Sequence, residues 1–103
     1  MGGRKRKGDN LKVAVMELRL CAPWVHSLKE KRMVVKSLLG KIRSRYAVSA
    51  AETGEQDIYQ TIVIGVAAIV AHAAQADRLM DDILALVESS TEAGIVSVER
   101  EIR

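Results

Sequence analysis

The chain has 103 residues, 49% of them hydrophobic, which suits one globular domain and is too apolar for a disordered chain. The longest unbroken apolar run, residues 62–71, is half of what a helix needs to cross a bilayer, and the single cysteine, Cys21, excludes an intramolecular disulfide and a structural zinc site of the usual kind. The formal net charge of +3 hides a segregation: residues 1–51 carry +10 and residues 52–103 carry −7.

Residues 1–10 contain the run Arg4, Lys5, Arg6, Lys7 among glycines and polar residues, with no apolar anchor, and read as a flexible basic arm. The domain proper is expected over residues 11–103. Residues 11–20 alternate, with Ala14, Met16, Leu18 and Leu20 on one side and Val13, Val15, Glu17 and Arg19 on the other, as a strand requires. Lys12, Glu17 and Arg19 also interrupt what would have to be the apolar stretch of a signal peptide, so the expected compartment is a reducing cytoplasm. Pro23 ends the strand.

Ser27-Leu28-Lys29-Glu30 reads as a capping box, in which the Ser hydroxyl accepts from the amide three residues on and the Glu carboxylate reaches back to the Ser amide. A helix follows to about residue 45, with Leu28, Val35, Leu38, Leu39 and Ile42 on its buried face. Residues 46–53 form a short second strand and residues 53–57 a turn. Residues 59–70 form a β-branched third strand with Ile62, Ile64, Val66, Ala68 and Val70 on one face. Gly65 falls on the other face, as a bulge or a close backbone approach. Residues 72–89 return to helical spacing, with Ala76, Leu79, Met80, Ile83 and Val87 as the apolar stripe. Residues 95–102 form the last strand, with Val96, Val98 and Ile102 on one side.

The order β-α-β-β-α-β predicts an α+β ferredoxin-like sandwich. Right-handed crossovers put both helices on one face of an antiparallel sheet of strand order 4-1-3-2. The opposite sheet face then lacks a cover. It carries Val13, Val15, Val63, Ala67 and Ile69 beside Glu17, Arg19, Glu99 and Glu101.

His26-Ser27-Leu28-Lys29-Glu30-Lys31-Arg32 followed by Val34-Val35-Lys36-Ser37-Leu38 resembles the signature of a bacterial family known as DUF503, or YlxP-like. The blocks Glu52-Thr53-Gly54, Gln56-Asp57, Tyr59-Gln60, Gly65-Val66-Ala67 and Val98-Glu99-Arg100-Glu101 are similar to it as well, so the resemblance spans residues 11–102. It implies a ferredoxin-like domain. Because the family's genes often neighbour those for translation initiation and ribosome maturation factors, it also implies a role near the ribosome or RNA. It supplies no catalytic residues to carry over. Tyr59 stands where the family often has Trp, and Ala71-His72 where a polar turn is common.

Two surfaces are candidates for function. On the first helix Lys29, Arg32, Lys36 and Arg43 recur at steps of three, four and seven and share one stripe, flanked by Lys31, Lys41 and Arg45. Such a face suits phosphate backbones, since each contact releases counterions without reading sequence, and the arm residues Arg4 to Lys7 would add non-specific attraction. As plain solvated surface residues they need no ligand. Base recognition in the manner of an RRM is not expected, because the central strands hold no aromatic pair.

The alternative is a protein–protein or homodimer surface on the open sheet face, using Val13, Val15, Val63 and Ile69. The acidic turn, Glu52 to Gln60, suits turn formation and salt bridges to the basic helix, or a metal or acid–base role that its spacing does not select. His26 reads as a loop or anion-binding residue at the cap. His72 carries no catalytic signal, and Trp24 reads as a lid on the core. No P-loop, dinucleotide fingerprint, HExxH or nucleophile elbow is present. An acylphosphatase-type site would need a glycine-rich phosphate loop with an Arg and an Asn, and Asn10 is the only Asn. A non-catalytic binding protein without cofactor or metal is the expectation.

Overall fold

Strict alternation makes the first element a strand, β1 (Lys12–Cys21), whose even-numbered side chains from Ala14 to Leu20 are buried. The computed structural model describes residues 11–103. After β1 come α1 (Leu28–Arg45), β2 (Ser49–Gly54), β3 (Thr61–Val70), α2 (Ala73–Ser90) and β4 (Gly94–Ile102). All pairings are antiparallel and the sheet order is β2-β3-β1-β4, the ferredoxin-like arrangement expected. The proposed arm residues Arg4, Lys5, Arg6 and Lys7 lie outside the described residues.

The core lies between the sheet and the two helices. Ala14, Met16, Leu18 and Leu20 of β1 and Ile62, Ile64, Val66 and Val70 of β3 meet Val35, Leu38, Leu39 and Ile42 of α1 and Ala76, Met80, Ile83, Leu86 and Val87 of α2. Each fully buried Val, Leu, Ile or Met contributes roughly 1.5–3 kcal/mol of transfer free energy, each Ala less, and no single bulky ring dominates.

The helix starts explain themselves locally. Ser27 Oγ accepts from the Glu30 amide at 3.0 Å, as a capping box requires, but Glu30 Oε1 accepts from the His26 amide at 2.9 Å rather than from that of Ser27. The box is closed one residue further out and ties the preceding loop to the helix. At α2 the cap is His72, whose Nδ1 accepts from the Gln75 amide at 3.2 Å while Gln75 Oε1 accepts from the Ala71 amide at 2.8 Å. A His-x-x-Gln sequence thus makes the same exchange, displaced by one residue, that Ser27 and Glu30 make at α1.

Three local departures from strict periodicity matter. The second and third strands begin later than their composition suggests, at Ser49 and Thr61. A register shift in the β1–β4 ladder between Arg19 and Leu20 turns Ile95 toward the core and leaves Val96 exposed, reversing the face expected for Val96. A second shift, between Glu52 and Gly54, falls opposite Ile64 and Val63 and leaves Thr53 as the extra residue beside Gly65. A Cβ on Gly65 would sit 2.7 Å from Thr53 Cγ2, and across this bare backbone Thr53 Oγ1 donates to Glu17 Oε2 at 3.3 Å. Close approach of strand neighbours is what this position needs glycine for.

Candidate nucleic-acid interface

Helix geometry decides which cations of α1 reach solvent. The positions spaced 28, 31, 35, 38 and 42 form the inward seam, and Lys31 occupies one of them. It is 1% exposed. Its Nζ donates to the carbonyls of Glu55 at 2.5 Å and Ile58 at 2.6 Å and pairs with Glu52 Oε2 at 3.1 Å. Lys31 is therefore a strut between α1 and the β2–β3 turn. The salt bridge from the acidic turn to the basic helix, one of the two readings of that turn, is present here. Glu55 adopts a positive φ of 52°, a left-handed conformation that costs a non-glycine residue about 1–2 kcal/mol, and its carbonyl is one of the two that Lys31 holds.

Lys29, Arg32, Lys36 and Arg43 are all exposed. Over the 14 residue steps from the first to the last, the stripe runs about 21 Å at 1.5 Å per step. Among the described residues no ion pair neutralises Lys29, Arg32 or Lys36. Arg43 is different in kind. One of its Nη groups donates to the carbonyl of Ala50 in the edge strand β2, so part of its guanidinium serves the fold while the rest faces outward. That contact also fixes the orientation of the stripe, which runs along the side of α1 nearest the β2 edge. On the other side Lys41 Nζ donates to the Ser90 carbonyl at 3.4 Å, at the last turn of α2, where a cation opposes the helix dipole favourably.

The two helices are opposite in charge. Along α1 seven Lys and Arg face one Glu, whereas α2 carries four acids and one Arg. Of the α2 acids Asp81 is engaged by Arg100 of β4 at 2.6 Å. The charge segregation seen along the chain is thus a segregation across the helical layer.

The open sheet face holds Val13, Val15, Val63 and Ile69, as the alternation places them, but with unequal exposure. Ile69 is 64% exposed, Val13 and Val15 are half-buried, and Val63 is only 3% exposed. Val63 lies opposite Arg19 in β1 and Gly54 in β2, and a Cβ added to Gly54 would touch its side chain at 3.5 Å. The remainder of that half is small: Ser49, Ala51, Gly65 and Ala67 surround a shallow depression beside Val15. Its other half is acidic, with Glu17 directly opposite Glu99 and Glu101 paired to Arg103 at 2.7 Å. The apolar patch is therefore smaller than its sequence implies. Among the described residues no group of three or more His, Cys, Asp or Glu side chains is placed to hold a metal ion, and no helix is long and apolar enough to cross a membrane.

The sequence profile of the family described as "Protein of unknown function (DUF503)" matches residues 13–100. This chain belongs to the DUF503 family. Within it, the uncharacterized protein YlxP of Bacillus subtilis is 36% identical over 66 residues, 64% of this chain and 72% of that protein. Among solved structures, the de novo designed protein Foldit4 superposes with a TM-score of 0.51 at 15% identity, covering 90% of this chain and 96% of that one. At that identity the likeness is one of fold alone. The DUF503 match contains Lys29, Arg32, Lys36 and Arg43, and it contains the four residues assigned to the open sheet face. The basic arm lies before it.

Sequence reasoning missed Lys31, although a signal was available: a cation standing in the apolar 28-31-35-38-42 register of a helix must either break the seam or find buried partners.

Proposed function

We propose that this DUF503 protein is a non-catalytic, cytoplasmic RNA- or ribosome-associated protein that binds phosphate backbones through the outer face of α1. The observation that supports this reading is the run of Lys29, Arg32 and Lys36, exposed and without an ion-pair partner among the described residues, on a rigid helix. Four cations including Arg43, each displacing about one condensed counterion, give a log–log salt slope for RNA affinity of roughly −3 to −4. Charge reversal in Arg32→Glu/Lys36→Glu lowers affinity and cuts that slope by about half. Fluorescence anisotropy with labelled RNA at several salt concentrations measures both. Wild-type affinity in the double variant refutes the reading.

A second reading rests on Ile69, an isoleucine more than half exposed on a sheet face that no helix covers. It makes the open face a homodimer or protein-binding surface with no nucleic acid, centred on Val13, Val15 and Ile69. Val63 is too buried to be its anchor, so the informative substitution is Ile69→Lys. Sedimentation or light scattering then reads mass in solution, and an unchanged assembly state sinks this reading. The two surfaces lie on opposite sides of the sheet.

A further inference from the structure

Two of the three aromatic residues of the chain are exposed, and both stand at the end of the domain where α1 begins. Trp24 is 39% exposed and Tyr59 is 45% exposed, with Ile58 beside it at 49%. Trp24 sits on a tight turn and Tyr59 directly follows one. Residues 22–25 form a β-turn closed by the Val25 amide on the Ala22 carbonyl at 3.1 Å, with Pro23 at the position where its fixed φ suits a turn and Trp24 at the corner. Residues 55–58 form a second turn, closed by the Ile58 amide on the Glu55 carbonyl at 3.1 Å and held at both ends by Lys31.

The two turns are bonded to each other. The Ala22 amide donates to the Gln60 carbonyl at 2.8 Å, and Gln60 Nε2 donates to the Pro23 carbonyl at 3.3 Å. The backbone that carries these exposed side chains is thus tied down at both turns. Trp24 also borders an open groove with Met33 of α1, an exposed methionine one helical turn beyond Lys29.

From this juxtaposition of two exposed aromatics on bonded backbone with the cations Lys29 and Arg32, which lie within two residues of the strut Lys31, we infer that this end binds unpaired RNA, bases stacking on Trp24 and Tyr59 while α1 carries the phosphates. The inference rests on the RNA reading above and specifies its substrate as single-stranded. Charge selects a polyanion here: the cations nearest the aromatic end have no ion-pair partner among the described residues. A base presents a π-face that either ring accepts without sequence preference. Because both turns are already fixed, ordering costs on binding fall mainly on the RNA.

Trp24 is the only tryptophan, so its fluorescence reports on the site directly. The full chain is titrated with a 12-nucleotide oligo(A) and with a 12-base-pair RNA duplex, following Trp24 emission and, with labelled RNA, anisotropy. Oligo(A) is expected to quench Trp24 and the duplex to leave it unchanged. Trp24→Ala and Tyr59→Ala should each weaken oligo(A) binding about tenfold, the loss of one stacked base. Their salt slope should stay at the wild-type value, and Trp24→Phe should restore most of the affinity.

Circular dichroism melts of each variant identify any loss that comes from unfolding, and Trp24→Phe then carries the test. Equal binding of oligo(A) and duplex without quenching overturns the single-strand assignment and leaves the α1 phosphate contacts standing. Full binding by Arg32→Glu/Lys36→Glu overturns those contacts instead. Absence of any RNA binding overturns both and leaves the aromatic end to a protein partner.

Discussion

Replacing Lys31 by Met tests the strut most directly, because Met keeps the unbranched stem and its packing while deleting the ammonium. Two acceptors, the carbonyls of Glu55 and Ile58, lose their donor, and Glu52 Oε2, a buried atom with no hydrogen bond of its own, loses its ion-pair partner. A buried acceptor left unsatisfied costs about 1–3 kcal/mol, and breaking a buried ion pair from one side costs about 3–5 kcal/mol. The Glu52 side chain is 20% exposed, so water reaches part of the carboxylate and the lower half of that range applies. The expected loss is about 3–4 kcal/mol, a large share of the roughly 5–15 kcal/mol that holds a domain of this size. In thermal unfolding this amounts to a fall in Tm of roughly 12–30 °C.

Urea unfolding of wild type, Lys31→Met, Glu52→Gln and the double variant completes a cycle. The double variant should recover about 1–2 kcal/mol relative to the sum of the singles, since its carboxylate charge is no longer stranded. Amide exchange in residues 55–60 should accelerate in Lys31→Met before the core exchanges. A loss below about 1 kcal/mol, or strict additivity in the cycle, would refute the assignment of Lys31 as a buried strut.

Gly40 lies exposed in the interior of α1 with nothing within 4 Å of an added Cβ, so Gly40→Ala should stabilise the domain by about 1 kcal/mol in denaturant unfolding. Gly65→Ala should cost about 1–3 kcal/mol by driving a methyl into Thr53, and Thr53→Ala in the same chain should restore part of it; strict additivity of the two would mean that Thr53 is not the obstacle. The first turn of α2 has no acid and its cap is a histidine, so His72→Asp, adding a better cap and a charge that complements the dipole, should raise stability by about 0.5–1 kcal/mol at pH 7. Unchanged or lower stability there would show that the bond from Gln75 to Nδ1 already meets the need of the helix start.

The topology was legible because its determinants are local. Alternation in residues 12–21, the Ser27–Glu30 cap and the β-branched run at 61–70 each decide an element without reference to the rest. What was illegible depended on contacts across elements. A period-two argument places Val96 inward, yet a one-residue bulge opposite Arg19 hands that site to Ile95. Parity places Val63 on the bare face, where it lies between Arg19 and Gly54 of the flanking strands and is nonetheless buried. By charge alone Lys31 is one more member of a cationic helix; its register places it on the inward seam. Its place between Pro23 and the helix cap makes Trp24 a lid, and it does border Val34 and Leu38, which pack in or against the core, but a proline-led turn leaves two-fifths of it in solvent.

The register of α1 separates the cations the fold uses from those it does not. Lys31 clamps a turn, Arg43 covers an edge carbonyl and Lys41 meets the end of α2. Lys29, Arg32 and Lys36 do none of this. Spaced three and four apart, they are neighbours of like charge on one helix face, and each such pair destabilises a helix by a few tenths of a kcal/mol. A glutamate in place of Arg32 would turn both repulsions into attractions at no cost in packing, since the side chain is exposed. The stripe is thus a standing cost to α1 that folding does not require, and it adjoins the one end of the domain where aromatic side chains are held out of the core. A polyanion that pairs with the stripe removes the repulsion as it binds. Thermal stability in the presence of RNA should therefore rise more for the wild type than for Arg32→Glu/Lys36→Glu, whose free form should itself melt at or above the wild-type temperature.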